Sequence, residues 1–435
     1  MKSKTKLFTV MITLFAMPVT GFELAAQDEA KPRTQTHYVV KILNLLGGTQ
    51  GGANGVTNGG LVTGWSNLTG DQSEHGLLWR GQSITDLGTL GGPNSAVSFP
   101  VKDDKGVIAG NSQTSETDPF GENFCTFSTY TTYLCQGFRW QDGQITALPT
   151  LGGNNSWATV VNHRGQVAGF AETGTQDPGC IAPQVFDFEA VVWWPNEGQM
   201  REFPPLPGDT ISAALGINDR SEVVGGSGTC GTPSTSILVH AVLWQFGSTR
   251  DLGSLGGVTN NLAAFINNRS EVVGTSDLSG DTTFHAFLWT NENGMKDLGT
   301  LPGDSFSSAE SINEEGQVVG ESCDQNGNCR AFIWQDGVMT DLNSLVLPGS
   351  ALYLVNISDI NDRGEVAGYA YDPNTGEGPG FLAIPCDAQH AEVEDCMSRA
   401  DRTIAADHET GTHPKITLPE NVRQVLQRRI RFQRH

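Results

Sequence analysis

The chain has 435 residues, of which 26 are basic and 48 acidic, and its formal net charge is −22. This excess of negative charge disfavours nucleic acid and anionic lipid as partners, because both attract basic surfaces. The length allows a large core, and no polar low-complexity tract is long enough to indicate wholesale disorder.

Residues 1–26 are typical of a cleaved signal peptide. The basic stretch MKSKTK precedes an apolar run, LFTVMITLFAMPVTGF, that is too short for a membrane span, and small residues follow up to Ala26. No comparable apolar stretch occurs later in the sequence. We therefore expect an exported protein, extracellular or periplasmic, without a transmembrane span and with an N-terminal linker over residues 27–37.

Residues 38–385 repeat one unit. Its most regular part is a turn that ends in glycine, INNRSEVVG at 266–274 in the fifth unit. The spacing of roughly fifty residues is typical of propeller blades of four strands rather than of helical hairpins. The closing glycines are Gly64, Gly110, Gly169, Gly225, Gly274, Gly320 and Gly368.

Each unit contains four short runs typical of strands. In the fifth unit they are NLAAFIN, EVVGTS, HAFLW and MKDLGTL, which we label strands A, B, C and D. The runs are rich in β-branched and aromatic residues, and the Asn and Gly between them supply the left-handed backbone angles of tight hairpins. The repeat therefore predicts an all-β domain.

The two ends of the repeat region are complementary. Residues 38–48, YVVKILNLLGG, align with a strand D that lacks its A, B and C, whereas the seventh unit ends in the strand C of PGFLAIP at 379–385. Pairing these ends closes the ring and removes exposed sheet edges. We predict a monomeric seven-bladed β-propeller of four-stranded antiparallel blades, in which the N-terminal strand completes the last blade.

The repeat resembles the HAF-repeat family of extracellular repeat proteins, named after the tripeptide found here at His285, Ala286 and Phe287. Its markers are HAFLW, DLGTLGG and an IN turn that ends in VVG, and together they cover residues 38–385. No enzymatic role is implied by the resemblance. Other units replace the histidine by Gln136, Glu189, Arg330 and Pro379.

Eight cysteines in an exported chain favour disulfides. No pair of CxxC motifs at zinc spacing is present, which argues against a metal site at these residues. The last of the four pairs requires that loops of neighbouring repeats lie side by side. The expected pairs are Cys125 with Cys135, Cys323 with Cys329, Cys386 with Cys396, and Cys180 with Cys230.

One tryptophan position recurs at the end of strand C in six units. Six identical active sites are an unreasonable expectation, and a large aromatic residue there is better explained as filling the wedge between neighbouring sheets. The alternative is a platform that stacks on sugars, which needs exposed rings. The residues are Trp79, Trp140, Trp193, Trp244, Trp289 and Trp334.

Histidines open strand C in three units, and aspartates recur in strand D. A hydrogen bond within the blade explains both, because a metal or acid-base role requires convergence on one point, whereas equivalent propeller residues are spread around a ring. The residues are His75, His240 and His285, with Asp86, Asp251, Asp297 and Asp341.

Departures from the repeat are better candidates for a site, because a unique site must break the pattern. Glu310 and Asp359 place acids in strand A of units six and seven, where the fifth unit has Ala264 and Phe265. Two carboxylates near a central channel would bind a cation or a basic ligand, or serve as an acid-base pair. Solvated acids that merely line the channel are the alternative.

Insertions between strands B and C, at 111–135, 170–188 and 226–239, decorate one face of the predicted propeller. The first insertion carries aromatic residues that we predict to bind a ligand, preorganised by the disulfide at Cys125. In the alternative, the rings pack over the ends of the blades. The candidate ligand-binding aromatics are Phe124, Phe127, Tyr130 and Tyr133.

Two acidic stretches are weak candidates for calcium, residues 324–328 and 372–377. Neither has the full ligand pattern of a calcium loop, and Asn, Asp and Gly are ordinary turn residues, so we expect no cofactor. The C-terminal extension, 386–435, ends in a basic stretch that predicts a short amphipathic helix. Docking on the acidic body, binding to an anionic surface and a mobile tail all remain open for it.

These features favour an exported binding or scaffold module that recognises an extracellular protein or glycan on the face bearing the B to C loops. The alternative is a secreted propeller enzyme, a hydrolase or lyase acting on carbohydrate through the channel carboxylates. The sequence contains no Ser-His-Asp motif, zinc spacing or phosphate loop that would favour the enzyme.

Overall fold

The computed structural model of the chain describes residues 36–125, 127, 131–195, 199–230, 238–393, 396 and 415–432. The predicted signal peptide lies outside the described residues. Within the described part, 28 strands form seven four-stranded antiparallel sheets arranged in a ring. The predicted seven-bladed β-propeller is confirmed.

Each blade runs from an inner strand A to an outer strand D. Blades 1 to 3 consist of β2 (Gly47–Val56), β3 (Leu61–Leu68), β4 (Glu74–Arg80), β5 (Ser83–Asp86), β6 (Gly91–Ala96), β7 (Ile108–Thr117), β8 (Tyr133–Gln141), β9 (Gln144–Ala147), β10 (Gly152–Val161), β11 (Val167–Gln176), β12 (Phe186–Trp193) and β13 (Met200–Phe203). Blades 4 to 6 consist of β14 (Ile211–Ile217), β15 (Val223–Gly228), β16 (Leu238–Gln245), β17 (Ser248–Asp251), β18 (Gly256–Ile266), β19 (Val272–Leu278), β20 (Phe284–Thr290), β21 (Gly294–Gly299), β22 (Phe306–Ile312), β23 (Val318–Cys323), β24 (Cys329–Gln335) and β25 (Val338–Asp341). Blade 7 consists of β26 (Tyr353–Ile360), β27 (Val366–Tyr371), β28 (Gly380–Pro385) and β1 (Tyr38–Ile42).

The N-terminal strand β1 closes the ring as predicted. It pairs antiparallel with β28, with Tyr38 opposite Pro385 and Ile42 opposite Phe381. Tyr38 and Val39 are buried against the last blade. The first and last segments of the repeat region therefore share one sheet, which leaves blade 7 with the same four strands as the others.

The closing glycine of each unit lies where strand B passes closest to strand A. A β-carbon at Gly274 would lie 2.0 Å from the carbonyl oxygen of Leu262, and the equivalent distances in the other six blades are 1.9–2.3 Å. Strand A carries a β-bulge at this point, between Ala263 and Phe265 in blade 5. Only glycine fits so close to a backbone carbonyl, which explains why the repeated turn ends in VVG.

The repeated tryptophan joins neighbouring blades. The indole Nε1 of Trp79 donates to the carbonyl oxygen of Asn44 at 2.8 Å, and that of Trp244 donates to Pro204 at 2.9 Å, in each case in the preceding blade. Five of the six rings are buried, and Trp140 is half-buried. An indole that packs between sheets and bonds to the preceding blade fits the predicted structural role better than a sugar platform.

The asparagine of the IN turn makes a second connection between blades. Asn267 accepts hydrogen bonds from two backbone N–H groups of its own turn, those of Arg269 and Glu271, both at 3.0 Å. Its side-chain amide donates to the carbonyl oxygen of Asn313 in the next blade at 3.1 Å. The same bond to the next blade is made by Asn162, Asn218, Asn313 and Asn361 at 2.9–3.0 Å.

The predicted hydrogen bond within a blade is present between the strand C histidine and the strand D aspartate. Nδ1 of His75 lies 2.9 Å from the carboxylate of Asp86, and Nδ1 of His285 lies 2.9 Å from that of Asp297. His240 differs, because its Nδ1 lies 3.0 Å from Asp209, in the loop before strand A, and not beside Asp251. These pairs connect neighbouring segments within their own blades and do not converge on one point.

The eight cysteines, all within the described residues, form the four predicted disulfides. The bond between Cys180 and Cys230 joins the B to C loops of blades 3 and 4, which confirms that these loops lie side by side on one face. The bond between Cys386 and Cys396 lies just after the last blade.

The C-terminal stretch docks on the propeller. Helix α1 (Glu420–Phe432) packs Val422, Val425 and Leu426 against an apolar cluster that includes Tyr353 and the disulfide of blade 6. The ammonium group of Lys415 pairs with Asp304 and, at 3.2 Å, with Asp324. The predicted amphipathic helix is thus present, and of the three alternatives its contacts fit docking on the acidic body. Two short 3-10 helices lie at Leu342–Leu345 and Ala388–His390.

Candidate functional site

The antiparallel strand order gives the ring two different faces. The turns from strand A to B and from C to D lie on one face, which we call the AB face. The connections from B to C, and from each D to the next A, lie on the opposite BC face. The disulfide-braced loops of blades 2 to 4 and helix α1 all lie on the BC face.

The axial opening on the AB face is a shallow cup with a cavity volume of about 30 Å³. That volume is about one water molecule's share of the liquid, too small for a sugar ring or a side chain. Apolar residues of the inner strands form its floor, among them Ile217, Phe265 and Ile312. The rim consists of one residue from each of six turns, Asn58, His163, Asp219, Asn268, Glu314 and Asp362.

The acids of this rim bond to neighbouring blades. Glu314 Oε1 accepts from the backbone N–H of Asn268 at 2.8 Å, and Asp362 Oδ1 accepts from that of Glu314 at 3.0 Å. Asp219 accepts from the backbone N–H of His163 at 3.0 Å and lies 2.9 Å from its Nδ1, and this hydrogen bond raises the pKa of the imidazole. The rim therefore holds the ring together rather than presenting unused carboxylates.

Asp359 does not offer a carboxylate to a ligand, which corrects the prediction that it binds one. It is fully buried and forms an ion pair with Lys102 of blade 2 at 2.5 Å. Its oxygens also accept from the backbone N–H of Val56 and the hydroxyl of Ser311, both at 2.8 Å. A buried carboxylate needs such partners, so this acid joins blades 1, 2, 6 and 7 across the channel.

Glu310 is the second predicted channel acid. It is half-buried, and its Oε1 accepts from the hydroxyl of Ser308 at 2.9 Å, in its own strand. Glu310 lies in the β-bulge between Ala309 and Ser311, where the register of strand A shifts. The two predicted channel acids are thus held by different partners, and the acid-base pair expected of a carbohydrate enzyme is not assembled by these contacts.

The two phenylalanines that we predict to bind a ligand, Phe124 and Phe127, pack inward from the blade 2 loop. Phe127 is 9% exposed, and the ring of Phe124 lies 5.6 Å from that of Phe170 and 6.1 Å from that of Phe188. Blade 3 offers these rings an apolar surface, so burial is favoured over exposure. Both residues are placed as in the alternative, in which the rings pack over the ends of the blades.

The other two aromatic candidates are placed differently. Tyr133 begins β8 and is half-buried, and its backbone pairs with Thr117. Tyr130 lies outside the described residues. Neither position tests the predicted ligand contact.

Glu122 and Glu172 form a buried carboxyl pair beneath the blade 2 loop. The carboxylate of Glu172 accepts from the backbone N–H groups of Asn154 and Asn155 at 3.0 and 2.9 Å. One oxygen of Glu122 accepts from the backbone N–H of Val185 at 2.7 Å. Its other oxygen has no donor among the described residues. The ionised form of Glu122 is therefore poorly stabilised at that oxygen.

The pair therefore shares a proton. Burial and the charge of Glu122 raise the pKa of Glu172 to about 8, and burial raises the pKa of Glu122 as well. Asp118 adds a further negative charge beside Glu122. Two coupled carboxyls in a buried site cannot both ionise at neutral pH, so the pair as a whole keeps one proton, and Glu172, which accepts from two backbone N–H groups, is the better solvated when ionised.

We expect stability to fall as pH rises across this pair. In the unfolded chain both groups ionise near their usual pKa of 4.5, whereas the folded pair keeps a proton up to about pH 8. The folded state binds more protons between these values, so the free energy of unfolding decreases through that window. Glu122→Gln should flatten this dependence and raise stability near pH 8 by at least about 1 kcal/mol. Thermal unfolding at the two ends of the window measures both effects.

Glu172→Gln is the matched control. The amide oxygen can keep the bonds from Asn154 and Asn155, which both reach Oε2, but the amide NH2 group would then face the donating Nε2 of Gln184, so we expect a loss of about 1–3 kcal/mol even though the pH dependence also flattens. A Glu122→Gln protein with the steep pH dependence of the parent would show that the two carboxyls do not share a proton.

A groove of about 850 Å³ lies on the BC face between blades 5 and 6 and helix α1. Its lining contains the aromatic pair Phe284 and Phe306, with ring centroids 4.9 Å apart, and Arg423 and Leu426 from the helix. Hydroxyl and amide side chains of the loops complete it. These are Thr282, Thr283, Ser305, Gln325 and Asn326.

The candidate calcium stretches use their carboxylates locally. Asp324 accepts from the backbone N–H groups of Asn326 and Asn328 at 2.9 and 3.0 Å, and although burial opposes it, these bonds, the Asn328 side chain and Lys415 lower the pKa of Asp324 to about 2. Asp372 caps its turn in the same way. Among the described residues, the one cluster with metal-ligand spacing is Cys180, Asp187 and Cys230, whose cysteines are disulfide-bonded.

Sequence reasoning missed the ion pair of Lys102 with Asp359 and the pair of Glu122 with Glu172. Lys102 lies in the divergent turn KDDKG of the second unit, where units four to seven have IN. That departure from the repeat was the available signal. For the glutamates no signal existed, because Glu122 lies in an insertion and Glu172 in a strand of the next blade.

Among the described residues, no helix combines the length and apolar composition needed to cross a membrane. No protein-family model and no curated protein sequence matches the chain.

The chain is similar to several solved structures, all at low sequence identity. A protein assigned as a gluconolactonase is 11% identical, with 80% of this chain and 92% of that chain covered and a TM-score of 0.37. Dipeptidyl peptidase 4 of Porphyromonas gingivalis is 10% identical over 79% of this chain and 52% of its own, with a TM-score of 0.39. A triple arginine-to-alanine mutant of AofleA from Arthrobotrys oligospora is 10% identical over 78% and 84%, with a TM-score of 0.33. The fold itself follows from strand order and pairing: the chain is a seven-bladed β-propeller of four-stranded blades, braced by four disulfides.

Proposed function

We propose that this protein is an exported binding module that recognises an extracellular ligand on its BC face. The observation that carries the proposal is the contrast between the two faces. The AB opening has a volume of about 30 Å³ and a rim bonded from blade to blade, whereas the BC face carries a groove of about 850 Å³. Ligand sites are usually concavities of about 300–1,000 Å³ built on a rigid scaffold.

Export is part of the proposal and is supported by the disulfides. Three of the four bonds, among them that between Cys180 and Cys230, fix loops of the BC face, and such bonds form and persist in oxidising compartments. The resemblance to the HAF-repeat family fits this setting and is proposed with it. We assign no catalytic role to Glu310 or Asp359. Glu310 accepts a hydrogen bond within its own strand, and Asp359 forms an ion pair in the interior.

An array of glycans and of extracellular proteins tests the proposal. We expect the purified, disulfide-intact protein to bind a subset of one array in a saturable, dose-dependent manner, without converting the ligand. Mass spectrometry of the bound ligand after prolonged incubation detects conversion. Absence of saturable binding on both arrays would contradict the proposal, and cleavage of a bound glycan would favour the enzyme instead.

A further inference from the structure

We propose that the groove between blades 5 and 6 and helix α1 binds a neutral oligosaccharide. The inference deepens the proposed function, on which it rests, by assigning a ligand class and a place on the BC face. It also gives the C-terminal helix a role, because Arg423 and Leu426 form one wall of the groove.

The charges around the groove are already paired. Arg423, the one charged residue among the described lining residues, donates to Glu420 at 2.7 Å. Beside the groove, Asp304 pairs with Arg330 at 2.8 Å, and Asp324 pairs with Lys415 at 3.2 Å. The described lining contains no carboxylate, although the chain as a whole has a net charge of −22. A charged ligand would find no unpaired counter-charge among these lining residues, so the groove suits a neutral one.

Three uncharged polar side chains of the groove are free to bind hydroxyl groups. Within the described part of the chain, the side-chain amides of Gln325 and Asn326 make no hydrogen bond, and both residues are exposed. The hydroxyl of Thr282 is also unengaged there. Amides and hydroxyls both donate and accept, which matches the hydroxyl groups of a sugar, themselves donors and acceptors.

The aromatic pair supplies the apolar part of such a site. Phe306 is half-buried and supported from below by buried Phe284, whose ring lies 4.9 Å away. A sugar ring combines an apolar C–H face with hydroxyl edges, so one face packs on a phenyl ring while the edges bond to amides. An extended peptide is a poorer fit, because loops, strand ends and a helix bound the groove, and its described lining offers no open strand edge to pair with.

Calorimetric titration of the full-length mature protein with soluble neutral hexasaccharides tests the inference. The panel contains α-1,4-glucan, β-1,4-glucan, β-1,4-mannan and β-1,4-N-acetylglucosamine oligomers. We expect at least one to bind. Asn326→Trp, which fills the groove, should weaken that binding by about tenfold or more. Replacing Gln325 and Asn326 together by Ala removes the amides without adding bulk and should weaken it in the same direction.

Asn374→Trp is the matched control. Asn374 occupies the same position in the blade 7 loop as Asn326 does in blade 6, two residues after an aspartate that accepts from its backbone N–H at 2.9 Å. It lies outside the groove lining, so binding should stay within about twofold of the parent. Parent-like binding by both groove variants, or equal weakening by Asn374→Trp, would overturn the assignment. Saturable binding of a protein ligand with no binding of any neutral glycan would overturn the assignment and leave the proposed function standing.

Discussion

Removal of residues 36–46 is expected to abolish the cooperative unfolding of this protein. The segment contains β1, the fourth strand of blade 7, and it buries Tyr38, Val39 and Leu43. Burying each such side chain contributes about 1.5–3 kcal/mol, and their sum is comparable to the whole stability of a typical domain, about 5–15 kcal/mol. Its loss would also expose the edge of β28 and promote aggregation. Circular dichroism during heating and light scattering measure both consequences.

A synthetic peptide with the sequence of residues 36–46 distinguishes closure from a general effect of truncation. Added in trans, it should pair with β28 and restore a single cooperative transition, whereas a peptide with the same composition in scrambled order should not. A truncated protein that melts like the parent without any peptide would show that β1 does not close the ring.

Gly274→Ala is expected to destabilise the protein by about 3 kcal/mol or more, the upper end for overpacking. The added methyl group would lie 2.0 Å from the carbonyl oxygen of Leu262, well inside van der Waals contact. No side-chain rotation relieves that contact, since the neighbour is backbone. Strands A and B of blade 5 would have to separate, with loss of hydrogen bonds between them. Denaturant unfolding gives the change in the free energy of unfolding.

Gly174→Ala is the control for the glycine prediction. Gly174 also lies in a strand B, but it is exposed, its φ is not positive, and its added methyl group would lie 3.8 Å from the nearest backbone atom, the carbonyl oxygen of Gly152. We expect a change within about 0.5 kcal/mol, as for an ordinary surface substitution. Equal stability of the two variants would mean that the close approach of strands A and B does not require glycine at the end of the repeated turn.

The architecture could be predicted because it depends on features that recur. Each VVG glycine, each strand C tryptophan and each IN asparagine performs the same task in several blades, as Gly274, Trp244 and Asn267 do. Ring closure followed from counting strands at the two ends. Even the pairing of Cys180 with Cys230 required only the order of the blades and the side on which their loops emerge.

The site could not be predicted to the same extent, because it depends on features that occur once. Asp359 aligns with a channel position, but whether its carboxylate meets solvent depends on Lys102 reaching it from blade 2, some 257 residues away in sequence. The rings of Phe124 and Phe127 turn inward because blade 3 presents Phe170 beside them. Such contacts arise from the closed ring and leave no local pattern.

Hydrogen–deuterium exchange on the protein with and without the ligand found on the arrays tests the central claim most directly. Recognition on the BC face predicts that the ligand slows exchange in the loop from β19 to β20, in residues 323–329 and in residues 415–426, and leaves the turns at 217–222 and 266–271 unchanged. Slowed exchange confined to the AB turns, with the BC loops unaffected, would contradict it.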